Sequence, residues 1–384
     1  MRETTRRFRK KLHKYLIEPY FSQDIALRPK QFLGVRFGFE KNMALEQIEH
    51  VEHPNFWQDL PATFQNNVVK ELDYKSRCCL RKCSKVSRSI VDRCPLNMTY
   101  IILKTNRICN PKTKVVEEHV VFSVLAETWK CINLRGIENF LSLFKNRRSI
   151  AQSVWFDYFD DGKSCVQEFI DHLTQEISKR GSLCRIRARK IQWNNVGNEI
   201  DNSKSASTKL DPGIHFLRIL YCFDSKFLKS LDIVRSNFTG STIKLLAKSR
   251  YWWLLKEINI EIKQTAMIDL FLTGEKLMYT AHSFSAHDIW EVVESFRTRN
   301  LPHRSFFYLS SLTEWDIECI LNHFPTTPKP ISISEIKNSP VAYTSQFKIG
   351  SGEHILVVTL TSSTVKGVVC RAKHLVEDYN KCLQ

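Results

Sequence analysis

The sequence predicts an α+β protein in which a small module of three helices precedes a larger, irregular α/β domain. Three observations predict this fold class. Residues 55–97 show helical apolar periodicity, short strand-like runs alternate with helical runs beyond residue 98, and two of the strand-like runs share one apolar spacing. The predicted organisation is a basic, unassigned segment at 1–54, the helical module at 55–97 and the α/β domain at 98–384.

The composition is that of a globular chain with a basic surface. Its 384 residues are 43% hydrophobic and 25% charged. No run of about 18 uncharged apolar residues occurs, so no membrane span is expected. The net charge of +17 attracts nucleic acid, anionic lipid or acidic proteins without distinguishing among them. The twelve cysteines are dispersed and no secretory signal precedes them, which favours free thiols in a reducing compartment, cytoplasmic and/or nuclear.

The segment at 1–54 is dense in basic side chains and predicts little structure. Its apolar residues are spaced as in a basic helix over residues 5–17, which Glu18 and Pro19 would end because the residue before a proline avoids the helical region. Three interpretations remain open for this helix: a solvated surface helix, a nuclear-import patch and a mitochondrial presequence.

Three short helices are predicted within residues 55–97. Pro61 suits the first position of a helix. Phe64, Val68 and Leu72 then recur at four-residue spacing, which predicts one apolar stripe, and two further short helices follow. Three helices in about 40 residues bury little surface by themselves. The module is therefore predicted to offer apolar surface to a partner protein.

The α/β domain is predicted from repeated strand patterns. Residues 228–233 and 255–260 share the spacing apolar, two residues, apolar, one residue, apolar, which is typical of the strand of a leucine-rich-type repeat. The strands recur irregularly, so we expect a leucine-rich-repeat-like sheet with helices packed on it. The other predicted elements are strands at 186–193, 276–279 and 306–309, helices at 166–177 and 289–296, an exposed loop at 195–212 and three antiparallel edge strands within 341–372.

Two blocks of the sequence resemble known domains. The block that runs from Leu60-Pro61 through Leu80-Arg81-Lys82 to Ile90-Val91-Asp92 resembles the F-box. The downstream region, through residues 219–233, 253–260 and 283–290, resembles the F-box-associated FTH domain of the nematode F-box A family. Together the resemblance covers about residues 55 to 375.

This resemblance implies a substrate-recognition subunit of a Skp–cullin–F-box ubiquitin ligase, which catalyses nothing itself and needs no cofactor. The F-box would bind a Skp-type adaptor, and through it a cullin scaffold. The second domain would recruit an unknown protein substrate on its concave sheet face and raise the local concentration of that substrate near a conjugating enzyme. The residues implied to face the adaptor or to pack the module are Leu60, Pro61, Phe64, Val68, Leu72, Leu80, Val86 and Ile90.

The chain departs from the F-box pattern at two positions. Cys83 stands where the family usually has a valine, and Ser87 stands where it usually has a leucine in the third helix. Losing a leucine-sized contact with the adaptor would cost about 1–3 kcal/mol, which is tenfold or more in affinity.

The cysteines and histidines do not form the pattern of a metal site. No Cys-x-x-Cys pair occurs, whereas a structural zinc site needs two close pairs of ligands. The chain also lacks a Gly-x-Ser-x-Gly elbow, a phosphate-binding loop and a dinucleotide-binding glycine pattern. The sequence therefore predicts neither an enzyme nor a bound metal.

A second candidate surface is basic. Arg185, Arg187 and Arg189 alternate on one predicted strand, so all three should project from one face, with Trp193 nearby. Charge that protects a sheet edge, a site for an acidic protein and a site for nucleic acid all remain open. The alternative function is thus a non-enzymatic basic interaction protein that has lost adaptor binding and contacts nucleic acid.

Overall fold

The computed structural model describes most of the chain from Trp57 onward. The segment at 1–54 with its predicted helix, and nearly all of the loop predicted at 195–212, lie outside the described residues. No helix in the described part is both long and apolar enough to cross a membrane. The described residues are 57–109, 116–126, 129–157, 164–181, 185–194, 212–234, 238–262, 267–324, 329–330, 343–350, 352–375, 378–379 and 382.

The helices begin where the sequence supplies capping side chains. Asp73 and Ser84 each accept a hydrogen bond from a backbone N–H in the first turn of the helix that follows, and Ser285 forms a capping box with Asp288. Pro61 was expected to be the first residue of the first helix. It is instead the N-cap residue that precedes that helix. The α-helices of the described residues are α1 (Ala62–Glu71), α2 (Tyr74–Cys83), α3 (Lys85–Arg93), α4 (Ile137–Ser142), α5 (Ser164–Arg180), α6 (Pro212–Leu220), α7 (Gly240–Ala247), α8 (Ala286–Thr298) and α9 (Ile317–Leu321).

The strands of the described residues join in a single sheet. Its order is β10-β11-β12-β13-β9-β8-β7-β6-β5-β4-β1-β2-β3. The strands are β1 (Asn97–Cys109), β2 (Val116–Ala126), β3 (Trp129–Arg135), β4 (Ile150–Asp157), β5 (Ala188–Asn194), β6 (Ser230–Val234), β7 (Glu257–Glu261), β8 (Lys276–Ala281), β9 (Phe306–Ser311), β10 (Lys329–Pro330), β11 (Tyr343–Ile349), β12 (His354–Leu360) and β13 (Thr364–Arg371).

The middle of the sheet is parallel, and its strands follow one another in chain order. β1 pairs in parallel with β4, and each strand from β4 to β8 pairs in parallel with the next. The two ends are antiparallel, with β2 and β3 at one end and β10 to β13 at the other. The predicted strands between residues 186 and 309, and the antiparallel strands predicted within 341–372, are therefore confirmed.

One face of the parallel strands forms the main hydrophobic core. A single row of paired apolar residues crosses seven strands and is buried throughout, and side chains of α5 to α8 pack in the same core. Burial of so many aliphatic and aromatic side chains is the dominant stabilising contribution. The row consists of Ile101, Val154, Ile191, Leu231, Ile258, Leu277 and Phe307.

The opposite face of the sheet is polar, and its charges pair with one another. Asp232 accepts hydrogen bonds from Gln192 and Asn259, both at 2.8 Å, and its carboxylate lies 2.8 Å from Lys190 Nζ. Lys276 and Glu257 pair similarly on the next strands, at 2.6 Å. Each of these two cations is therefore matched by an anion on a neighbouring strand.

The last described residues cover this polar face where β9, β12 and β13 meet. Asp378 is fully buried and accepts hydrogen bonds from the backbone N–H and the guanidinium of Arg371, with Arg304 3.5 Å away. Tyr379 contributes to a small apolar cluster with Val357. The hydrogen bonds from Arg371 hold the pKa of Asp378 well below its usual range.

Asp378→Asn is expected to release the C-terminal segment. A carboxyl whose pKa is depressed by folding stabilises the protein above its unfolded pKa of about 4, and this stabilisation is lost as the pH falls further. The native segment should therefore stay docked from neutral pH to about pH 5 and loosen below about pH 4, whereas the variant should be loose at neutral pH. Carboxypeptidase trimming at pH 7 and near-ultraviolet circular dichroism against pH measure these effects, and equal trimming of both proteins would contradict the role of Asp378.

Candidate functional site

The three N-terminal helices have a small core of their own. Val69, Ile90, Val91 and Cys94 are buried together, and Trp57 and Leu80 pack against them. Gln65 Nε2 donates to the carbonyl of Trp57 at 2.5 Å, which ties the segment before α1 to this core. The module therefore buries few apolar residues in its own core, and many of its other side chains are exposed.

The apolar stripe predicted on α1 lies one position away from the side that the helix buries. Gln65 and Val69 face the module core, whereas the side chains of Pro61 and Phe64 are exposed, Phe64 to 40%. A glutamine at the inward position conceals the true phase in the sequence, since periodicity is read from apolar residues alone. The stripe that begins at Phe64 therefore lies beside the buried side of α1 and not on it.

The other implied docking residues divide into surface and core positions. Val86, at the start of α3, is 46% exposed. Ile90 is buried in the module core, which makes it a packing residue. The half-buried members of the set are Leu60, Val68, Leu72 and Leu80.

Arg77 stabilises the module from within, although no pattern in the sequence singles it out. Its guanidinium is buried and donates to the carbonyls of Lys70, Leu72 and Pro95, each at 3.1 Å. It thereby joins the C-terminal end of α1 to the link between α3 and β1, and its positive charge suits a helix C-terminus. Burial lowers the pKa of Arg77.

Specific polar contacts join the module to the start of the sheet. The hydroxyl groups of Tyr74 and Ser142 lie 3.0 Å apart. Asp92 accepts from Arg81 Nε at 2.7 Å, and its backbone carbonyl accepts from Asn146 Nδ2 at 3.0 Å. Partial burial opposes ionisation of Asp92, but the hydrogen bond and charge of Arg81 together with Lys145 outweigh it and lower the pKa of Asp92. The module and the sheet therefore form one continuous structure.

The two departures from the F-box pattern lie in different surroundings. Cys83 is exposed, and its thiol points back to the carbonyl of Cys79 at 3.3 Å. Ser87 is buried, and its hydroxyl accepts from the hydroxyl of Ser84 at 2.9 Å within the N-cap of α3. Ser87 thus fills an interior polar position of the module.

The three arginines predicted to share one face are separated. Arg187 is buried, where it donates to the carbonyls of Phe144, Asn146 and Ser149, and so holds the loop before β4. Trp193 is also fully buried and is closed to a stacking base. The prediction of one basic strand face is therefore wrong, because alternation along a strand does not ensure exposure near its end.

Comparison with known families supports the assignment of the helical module. A family model described as F-box domain matches residues 57–99, which are the three helices and the start of β1. No curated protein and no solved structure matches the chain. This match supports the interpretation of the chain as an F-box protein. F-box domains bind Skp-type adaptors and typically belong to non-catalytic substrate receptors of ubiquitin ligases.

Proposed function

We propose that this protein is the substrate-recognition subunit of a Skp–cullin–F-box ubiquitin ligase. In this role the helical module binds a Skp-type adaptor and the sheet domain, residues 98–384, recruits the protein to be ubiquitinated. The observation that carries the proposal is the F-box match to residues 57–99, the three helices that expose apolar side chains. The subunit would act by raising the local concentration of its substrate, in the cytoplasm, the nucleus or both.

The proposed adaptor surface is centred on exposed apolar side chains of α1 and α3. Among the described residues of the module, Phe64 and Val86 are the most exposed large apolar side chains. Pro61 is exposed beside Phe64 on the first turn, and Leu60 is half-buried at the edge. Aromatic and aliphatic anchors of this kind contribute most of the binding energy at many protein interfaces.

The proposal also assigns the second domain to the leucine-rich-repeat-like FTH class. Parallel strands in chain order, separated by helices and short 3₁₀ turns, support a repeat-like origin for β4 to β9. The residues that carry the FTH resemblance form ordered elements: 219–233 span the turn into β6, 253–260 include β7, and 283–290 start α8.

The test is adaptor binding by the full chain with the surface changed at two points. Phe64→Asp and Val86→Asp each remove an apolar contact worth about 1.5–3 kcal/mol, so each should weaken adaptor binding at least tenfold. The double variant should no longer bind in a pulldown or by calorimetry. The full chain is preferable to a truncation, because removing residues 57–97 would expose the polar contacts made by Ser142 and Asn146.

Leu245→Asp is a matched control, because Leu245 is an equally exposed apolar residue on α7 outside the module. It should leave adaptor binding unchanged. Thermal unfolding of each variant shows whether the fold is intact. Native affinity in a folded Phe64→Asp/Val86→Asp variant would refute this docking surface, and failure of the unaltered chain to bind any Skp-type adaptor would refute the proposed function.

A further inference from the structure

Two arginines converge on one buried tyrosine at the edge where the chain enters the parallel strands. Arg185 Nη1 lies 3.4 Å from the hydroxyl of Tyr251, and Arg250 Nη2 lies 3.3 Å from the same oxygen. The Arg250 guanidinium also lies over the Tyr251 ring, 5.2 Å from its centroid. The two positive groups are therefore held close together.

The structure fixes this tyrosine firmly. Tyr251 is buried, its hydroxyl donates to the carbonyl of Phe223 at 3.0 Å, and its ring packs edge-on against Tyr221 at 5.9 Å between centroids. The segment of Arg185 is held by the bridge between Ile186 and Phe223. Both guanidinium groups therefore have a rigid support.

Neither arginine has a carboxylate partner among the described residues, in contrast to three other cations of the sheet domain. Arg371 and Arg304 share Asp378, and Lys190 pairs with Asp232. Arg185 Nε is buried and has no hydrogen-bond partner in the described structure. Two like charges that meet without a counter-ion repel one another, and an added anion would relieve this repulsion and satisfy the unused donors.

Further cations lie at the starts of the neighbouring strands. Exposed Arg189 and Lys229 are neighbours, since the N–H of Lys229 donates to the carbonyl of Arg189 at 2.8 Å. Lys256 directly precedes the next strand, β7, but its ammonium already pairs with Glu275 at 2.8 Å, which ends the unpaired row. The three neighbouring strands span about 10 Å, which is the length of about three residues of extended peptide.

Exposed aromatic rings flank the same loops. Trp253 is 68% exposed in the short 3₁₀ turn at Trp252–Leu254, and Tyr221 is 54% exposed at the end of α6. Tryptophan, tyrosine and arginine are the residues that most often dominate protein interfaces. A short unpaired basic row beside such rings fits a peptide better than a long phosphate backbone, whose binding needs an extended track of cations.

We propose that Arg185 and Arg250, flanked by Tyr221 and Trp253, bind an acidic peptide segment through its aspartate or glutamate side chains. That this segment belongs to a protein recruited for ubiquitination rests on the proposed function, whereas the binding itself does not. Part of this site is visible in the sequence, where Arg250 directly precedes Tyr251 and two tryptophans.

The experiment measures binding of a fluorescein-labelled peptide of alternating glutamate and leucine to the full chain. Arg250→Gln and Arg185→Gln should each weaken binding about tenfold, because a charge-assisted hydrogen bond is lost. Trp253→Ala should weaken it severalfold. Lys348→Gln, an exposed lysine on β11, removes the same charge elsewhere and should leave affinity unchanged. Equal affinities of Arg250→Gln and Lys348→Gln would overturn the proposal.

Two further ligands test the specificity of the site, and adaptor binding tests whether it is independent of the proposed receptor function. A phosphoserine peptide and a single-stranded oligonucleotide of equal charge should bind no more tightly than the glutamate peptide. If either alone binds at this site, with loss of binding in Arg250→Gln, the acidic-peptide assignment is overturned. Adaptor binding by Arg250→Gln should equal that of the unaltered chain, so failure of the peptide site and failure of the receptor function are observed separately.

Discussion

Arg77→Met is expected to lower the free energy of unfolding by about 3 kcal/mol, because three carbonyls lose hydrogen bonds from a buried guanidinium and a polar group left unsatisfied costs about 1–3 kcal/mol. The carbonyls belong to Lys70, Leu72 and Pro95. Methionine preserves the length of the side chain and most of its packing, so the loss should come mainly from the missing hydrogen bonds. The variant should also bind the adaptor poorly, because the orientation of α1 depends on this residue.

Urea unfolding gives the size of the loss, and amide hydrogen exchange shows its place. Exchange should accelerate in residues 57–97 before it does so in the parallel strands, whose core is separate from that of the module. Lys82→Met is the control, since Lys82 is an exposed cation on the same helix and should change stability little. If Arg77→Met and Lys82→Met unfolded at the same urea concentration, the internal role assigned to Arg77 would be wrong.

The strands and helices of the sheet domain were largely predictable from local patterns. The shared apolar spacing of residues 228–233 and 255–260 identified β6 and β7, which are neighbours in the parallel sheet. The helix predicted at 289–296 lies within α8, which Ser285 caps with a complete capping box. These features are governed by interactions within a few residues, so the sequence contains the information directly.

The candidate site was less predictable, because its residues depend on contacts distant in sequence. The apolar stripe of α1 did not reveal which side of the helix is buried, since Gln65 occupies an inward position and donates to the carbonyl of Trp57. Arg187 resembled a surface cation until its three carbonyl partners, about forty residues upstream, were known. Tertiary hydrogen bonds of this kind override the expected exposure of polar residues, and no local pattern shows them.

The junction between the parallel and antiparallel parts of the sheet depends on one glycine. Gly367 on β13 pairs directly with Phe307 on β9, and the Phe307 ring lies over the glycine. An added Cβ at Gly367 would overlap three ring carbons of Phe307. The ring has no free space to move into, since it is fully buried and packs 5.0 Å from the ring of Phe296.

Gly367→Val is therefore expected to destabilise the protein by about 3 kcal/mol or more, because a well-packed core tolerates added volume poorly. Lys348→Val places the same side chain at an exposed position of β11, where a β-branched residue fits a strand, and should cost little. Thermal or urea unfolding compares the two. Adding Phe307→Ala removes the overlapping ring, so the double variant should be more stable than the sum of the two single effects predicts. Strict additivity would show that the cost at Gly367 arises from the backbone and not from this ring, and the junction would then depend on the conformation of β13 itself.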